Sequence, residues 1–260
     1  KFKDFPGNAN KDSVEFNWVF DETGPTISIS SSTVSRTSTT NDTTISLTFI
    51  STESTKNFTV SDISVTNGIM VSFNSIDDTL YTGDFVPTSD GECTINVGEN
   101  TFTDTVGNFN SATTLLYSHI FIWTYDGTGP VMDISSSTVL NGSKTNDNNI
   151  PLIFTSNEPT SDFTQNDIVV TNGSLSSFTE TSSTIYNAIF TPDSDGNATI
   201  SVSPGVFNDY PGNNNTVGEQ FFWIYDGTPP SIIISAENYF GESLPSGITT
   251  NDTIIKIILT

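Results

Sequence analysis

The sequence predicts an all-β fold, built as tandem seven-strand Greek-key β-sandwiches in an extended array. Three observations predict it. A closing motif occurs three times, as Trp18-Val19-Phe20-Asp21, Trp123-Thr124-Tyr125-Asp126 and Trp223-Ile224-Tyr225-Asp226, with its Asp positions 105 and 100 residues apart. Other marks keep that register. Thr40-Asn41-Asp42 returns at 145–147 and 250–252, Val65-Thr66-Asn67-Gly68 at 170–173, and Asp104-Thr105-Val106-Gly107-Asn108 at both 209–213 and 4–8. Between these marks run short alternating segments, separated by Gly, Asn, Asp and Ser, with no helical period. A period near 100 residues is the size of one immunoglobulin-like sandwich and much longer than a solenoid unit.

The register divides the chain. Residues 24–128 and 129–228 are expected to be complete repeats. Residues 1–23 are expected to be the last loop and strand of a preceding repeat, and residues 229–260 the first two strands of a following one. In the second repeat, strands are expected near 131–135, 150–155, 168–171, 175–179, 185–191, 198–203 and 220–225. Phe121, Trp123 and Tyr125 stand two residues apart, so they share one face of the last strand and are expected in the core. Phe16, Trp18 and Phe20 repeat that pattern, as do Phe221, Trp223 and Tyr225. The single cysteine, Cys93, aligns with Ala198 and reads as a small buried filler, so no disulfide joins the two layers.

Thirty acids face seven Lys or Arg, a net charge of −23. Nucleic acid and anionic membranes are therefore poor partners. No apolar run reaches the 18 residues a membrane helix requires. Catalysis is not expected. His119 is the only histidine and has no counterpart in the next repeat, while the carboxylates recur in every repeat rather than once in a cleft.

These marks resemble the bacterial Ig-like repeats of giant surface adhesins. Those repeats run from a Pro-led first strand, through Phe-x-x-Ser-Glu (here Phe49 to Glu53 and Phe154 to Glu158) and Phe-x-x-x-Asp-Ile, to Asp-x-x-Gly-Asn and the closing Trp-x-Tyr-Asp. The resemblance covers essentially the whole chain. It implies an extracellular array at a cell surface, often stiffened by calcium.

In a seven-strand sandwich, the loop after the second strand and the loop before the last lie at the same end. Asp21, Glu53, Asp62, Asp104 and Asn108 are expected to gather there in the first repeat. Asp126, Glu158, Asp167, Asp209 and Asn213 are their counterparts in the second. Hard oxygen ligands converging from several loops suit Ca2+, which takes six to eight of them. The alternative is turn capping, in which Asp62 and Asp167 bond nearby backbone amides. Asp42, Asp90, Asp147, Asp193 and Asp195 form a second acidic group at the opposite end, where turn chemistry accounts for them. Among the Asn-x-Ser/Thr sites, Asn141 and Asn214 are the expected glycan acceptors if the chain follows a eukaryotic secretory route.

Two functions compete. One is a structural segment of a stalk, fibre or filament, whose partners are neighbouring repeats and other copies of the chain. The other is an adhesin module that binds a glycan or protein on another surface. The second requires a feature that one repeat has and the others lack. The longer loop Glu237 to Glu242 is the candidate.

Overall fold

The computed structural model describes residues 2–11, 15–112, 118–251 and 253–260. Two sandwiches fill the middle of the chain. The first has strands β1 (Ile27–Ser31), β2 (Thr39–Thr40), β3 (Ile45–Ser51), β4 (Ile63–Thr66), β5 (Gly68–Ser75), β6 (Leu80–Pro87), β7 (Gly91–Val97) and β8 (Ile120–Tyr125). They form two four-stranded sheets, in the orders β1-β3-β6-β5 and β2-β8-β7-β4. The second repeats the plan with β9 (Met132–Ser136), β10 (Lys144–Thr145), β11 (Ile150–Ser156), β12 (Ile168–Thr171), β13 (Gly173–Ser182), β14 (Ile185–Pro192), β15 (Gly196–Val202) and β16 (Phe221–Tyr225). Its sheets are β9-β11-β14-β13 and β10-β16-β15-β12. Both sandwiches are Greek keys, since non-consecutive strands are neighbours in every sheet.

Among the described residues each repeat has eight strands rather than seven. The opening segment divides between the sheets: β1 pairs antiparallel with β3, and the two-residue β2 then pairs parallel with β8. Two residues carry no alternation, so periodicity does not reveal them. A 3-10 turn precedes β4 at Val60–Asp62, and its counterpart Gln165–Asp167 precedes β12.

Alternation decides the core. In β3 the buried Ile45, Leu47 and Phe49 alternate with half-exposed Ser46 and Thr48. Both sheets contribute to one cluster, with Ile29, Phe49 and Phe85 on one side and Ile63, Ile95 and Trp123 on the other. Trp123 meets Phe85 edge to face at 5.0 Å, and Trp223 meets Phe190 the same way at 4.7 Å. Cys93 and Ala198 are both fully buried at matching places, so the Cys is a filler.

By contact, the chain divides into two compact units. One is Lys1–Gly129 with the loop tip Pro211–Asn213, and the other is Pro130–Tyr210 with Asn214–Thr260. The flanking segments differ from expectation. Residues 15–23 form no strand, and Phe16, Trp18 and Phe20 are exposed. A strand needs a neighbour for its backbone hydrogen bonds, and none among the described residues pairs with these. At the other end the described residues form three strands, not two: β17 (Ile234–Asn238), β18 (Ser243–Leu244) and β19 (Ile255–Leu259), in the order β18-β17-β19. The Glu237 to Glu242 insertion folds back as a hairpin, which places β18 on the edge of β17. Asp252, the last residue of the third Thr-Asn-Asp, lies outside the described residues.

Candidate functional site

The site is built on the loop between β7 and β8. Asp104 is only 2% exposed. Its Oδ1 accepts the backbone N–H groups of Val106 (2.9 Å), Gly107 (2.6 Å) and Asn108 (2.9 Å). Its Oδ2 accepts the Asn108 side-chain amide at 2.9 Å. Gly107 sits at φ +107°, a region that side chains disfavour, which explains the glycine in Asp-x-x-Gly-Asn. Asp209 is buried in the same loop of the second repeat, with Gly212 at φ +100°.

Three carboxylates of the first repeat converge. Asp21, Glu53 and Asp104 each place an oxygen within 4.8 Å of the other two. Asp104 comes from the loop just described and Glu53 from the loop after β3. Asp21 comes from the segment entering the repeat. Asn108 holds that segment, donating its amide to the carbonyls of Asp21 and Thr23, both at 3.2 Å. The entering Asp21 is exposed, Glu53 half-buried and Asp104 buried. Burial raises the Glu53 carboxyl, and the charges of Asp21 and Asp104 raise it further. Burial also raises Asp104, but hydrogen bonds from Asn108, Gly107 and Val106 outweigh it and hold that carboxyl below its usual range.

The donor set fits a hard divalent cation. Its groups are carboxylate oxygens, with no nitrogen or sulfur ligand, and three of them would leave the remaining positions of Ca2+ to water or carbonyl oxygen. A cation there would offset the repulsion that raises Glu53.

Two expected residues stay outside this group. The Asp62 carboxylate accepts the Thr59 N–H at 2.8 Å and its hydroxyl at 3.1 Å, capping the 3-10 turn. Asp167 does the same with Thr164, at 2.7 and 2.9 Å. Turn capping is what the structure gives these two. Asn108 and Asn213 use their amide nitrogens as donors to backbone carbonyls. The counterparts in the second repeat are divided: Asp126 and Asn213 belong to the first compact unit, and Glu158, Asp167 and Asp209 to the second. Within its own unit, Glu158 is half-buried in the loop after β11 and its N–H points to Ser156 Oγ at 3.5 Å, as that of Glu53 does to Ser51 at 3.4 Å. Asn141 and Asn214 are both exposed, and the Asn141 side-chain oxygen accepts the Phe222 N–H at 2.9 Å.

Sequence reasoning missed Asn110 and Asn215. Each is 3% exposed. Asn110 accepts the N–H groups of Thr101 (2.7 Å) and Phe102 (3.1 Å) and donates to the Gly98 carbonyl at 2.6 Å. Asn215 does the same with Val206, Phe207 and Ser203. The signal was present: an Asn stands six residues after the loop Asp in all three copies, at 10, 110 and 215. The second acidic group also does more than cap its own turns. Asp90 accepts the Gly127 N–H at 2.7 Å and the Thr128 hydroxyl, and Asp195 accepts the Gly227 N–H at 2.7 Å and the Thr228 hydroxyl.

The profile of the bacterial Ig-like domain matches residues 21–119 and 126–222. The chain belongs to the bacterial Ig-like domain family. Its repeats resemble those of bacterial adhesins. Among solved structures, the Escherichia coli adhesin FdeC is 11% identical, with a TM-score of 0.41, over 84% of this chain and 69% of that one. Invasin, a bacterial integrin-binding protein, is 15% identical with a TM-score of 0.40, over 90% of this chain and 47% of its own. InvD of Yersinia pseudotuberculosis is 13% identical with a TM-score of 0.38, over 84% and 66%. The chain therefore spans about half of the invasin structure. No curated protein matches it. No helix among the described residues is long and apolar enough to cross a membrane.

Proposed function

We propose that this chain is a structural segment of a long extracellular stalk, fibre or surface filament, without enzymatic activity, and that calcium stiffens its joints. One observation carries the calcium reading. Asp21 belongs to the segment entering the first repeat, while Glu53 and Asp104 belong to the body of that repeat, and all three converge. A cation bound to them would tie the connector to the sandwich it precedes.

Thermal unfolding of the whole chain, with calcium and with chelator, tests this. Calcium at a hundredfold excess over its Kd adds about 2.7 kcal/mol of stability. Glu53→Gln separates metal binding from folding. It should remove the calcium increment while leaving the chelated chain at least as stable, because the Glu53 charge is disfavoured without metal. A melting point indifferent to calcium in the parent chain would falsify the metal part of the reading.

The adhesin reading has one observation in its favour. Tyr239 and Phe240 stand at the tip of the β17–β18 hairpin, 73% and 81% exposed, with their rings edge to face at 5.4 Å. The hairpin is an insertion that the two complete repeats lack. If the tip binds a host glycan or protein, Tyr239→Ser with Phe240→Ser should abolish attachment of chain-coated beads to host cells and leave the melting point unchanged. Undiminished attachment rules the tip out.

A further inference from the structure

The connector Asp126-Gly127-Thr128 is held by side chains on both sides. Asp90, in the loop between β6 and β7, takes the Gly127 N–H and the Thr128 hydroxyl. Asn213, at the tip of the Pro211–Asn213 loop, donates its amide to the Asp126 carbonyl at 2.9 Å and the Thr128 carbonyl at 3.4 Å. The Asn41 amide supports it, donating to the Asn213 side-chain oxygen at 3.2 Å. Asp126 itself is tied down, its N–H bonded to the Thr40 carbonyl at 3.0 Å and its carboxylate to the Thr128 N–H at 3.4 Å. Gly127 completes the arrangement, since a Cβ there would run into the Tyr125 hydroxyl.

Each half of this grip occurs a second time. Asn108 takes the carbonyls of Asp21 and Thr23 as Asn213 takes those of Asp126 and Thr128. Asp195 takes Gly227 and Thr228 as Asp90 takes Gly127 and Thr128. The two copies of each half share donor, acceptor and register, so the residues of the connector motif have a common purpose.

We propose that Asp126–Thr128 is a latch, in which Asp90 and Asn213 order the connector backbone by hydrogen bonds that need no metal. Thr128 is the shared element, read through its hydroxyl by one partner and through its carbonyl by the other. A three-residue connector rich in Gly and Thr would otherwise behave as a hinge, because glycine backbone is the most costly to order. Charge assistance strengthens the Asp90 half, as a carboxylate accepts more strongly than a neutral oxygen. Asn108 and Asn213 thereby act as connector clamps through their amide nitrogens. The latch deepens the stalk reading, on which its biological use rests, and it acts whether or not calcium binds.

The test is backbone 15N relaxation of Gly127 and Thr128 in the full chain under chelator. Order parameters near those of rigid strands, about 0.85, are expected. Thr128→Val removes the hydroxyl contact from an exposed position that leaves the core intact, and Asn213→Ala removes the amide bridge. Each single variant should lower the order of both residues, and the pair should bring it below about 0.6, the range of flexible backbone. Values already below that in the parent chain overturn the proposal, as does a Thr128→Val, Asn213→Ala pair that stays rigid with its core dispersion unchanged. Adding calcium separates the two ideas. A calcium-insensitive melting point with a rigid connector removes the metal reading and keeps the latch, whereas a connector that orders only with calcium does the reverse.

Discussion

Residues 2–23 and the last third of the first sandwich carry the same two motifs, and the structure treats the motifs differently. The Asp-x-x-Gly-Asn loop forms in both places. Asp4 accepts the Gly7 and Asn8 N–H groups at 3.2 and 2.7 Å, and Gly7 sits at φ +115°, matching Asp104 and Gly107. Even the small bridge around the loop is kept, Lys3 with Ala9 and Thr103 with Phe109. The aromatic ladder does not form in both. Trp123 is fully buried, and Trp18 is 71% exposed. The loop Asp finds these backbone partners within four residues, so the turn folds wherever its sequence stands. The ladder depends on β7 beside it and β6 across the core, so its sequence alone does not fold it. Local hydrogen bonds travel with a motif, and burial belongs to the whole repeat.

The largest expected effect tests the second half of that contrast. Trp123→Ala or Trp223→Ala should cost about 3–5 kcal/mol, the usual cost of emptying a large aromatic site in a core. Trp18→Ala should change stability by less than about 0.5 kcal/mol, as exposed substitutions do. Urea unfolding followed by circular dichroism measures all three. A Trp18→Ala loss as large as that of Trp123→Ala would mean that residues 15–20 are packed in solution, and the contrast would fail.

A smaller effect is expected at the buried Asn. Asn110→Ala strands the Thr101 and Phe102 N–H groups, and Asn215→Ala strands those of Val206 and Phe207. Each should cost about 1–3 kcal/mol, the penalty of a buried polar group without a partner. Asn10 stands at the same offset, but its side-chain oxygen has no partner among the described residues, so Asn10→Ala should leave the unfolding midpoint in place. A shift at Asn10 comparable to that at Asn110 would show that the third copy is held as tightly as the complete ones.

The fold was legible in the sequence because sandwich strands write their burial into alternation. The second-repeat strands fall within about two residues of expectation over most of their bounds, and Cys93 and Ala198 fill the same core position. What escaped was whatever does not alternate. β2 and β10 are two residues long. The site was legible as a set of loops at one end, and Asp21, Glu53 and Asp104 do converge. Its chemistry was less so. An acid in a loop reads alike whether it caps a turn, as Asp62 does, or faces other carboxylates, as Glu53 does. An Asn reads alike whether it offers its oxygen or its nitrogen. Those distinctions depend on which way a side chain points, and spacing carries no such information.

The finest contrast is between acids of the same site, and pH resolves it. In chelator, Glu53 is raised by burial and by Asp21 and Asp104, so the stability it contributes is fully present below its unfolded value and lost as pH rises through its folded one. Asp104 and Asp4 are lowered: burial raises Asp104 and the Asn108 and backbone hydrogen bonds outweigh it, while the Asn8 side chain leads in lowering Asp4. Their contribution is present above the unfolded value and lost as pH falls through the folded one. Descending from neutral pH, the metal-free chain should therefore first gain stability as Glu53 takes up its proton, then lose it as the two loop aspartates are protonated. The maximum lies between the Glu53 and Asp104 values. Glu53→Gln should erase the gain and leave the acid loss, because Asp104 and Asp4 keep their loops. Carboxyl carbon shifts assign the steps, with Glu53 titrating above the ordinary glutamate value and both aspartates below theirs. Glu53 titrating at or below its ordinary value would mean that the three carboxylates do not crowd one another in solution, and the electrostatic reason for a cation at this end would be gone.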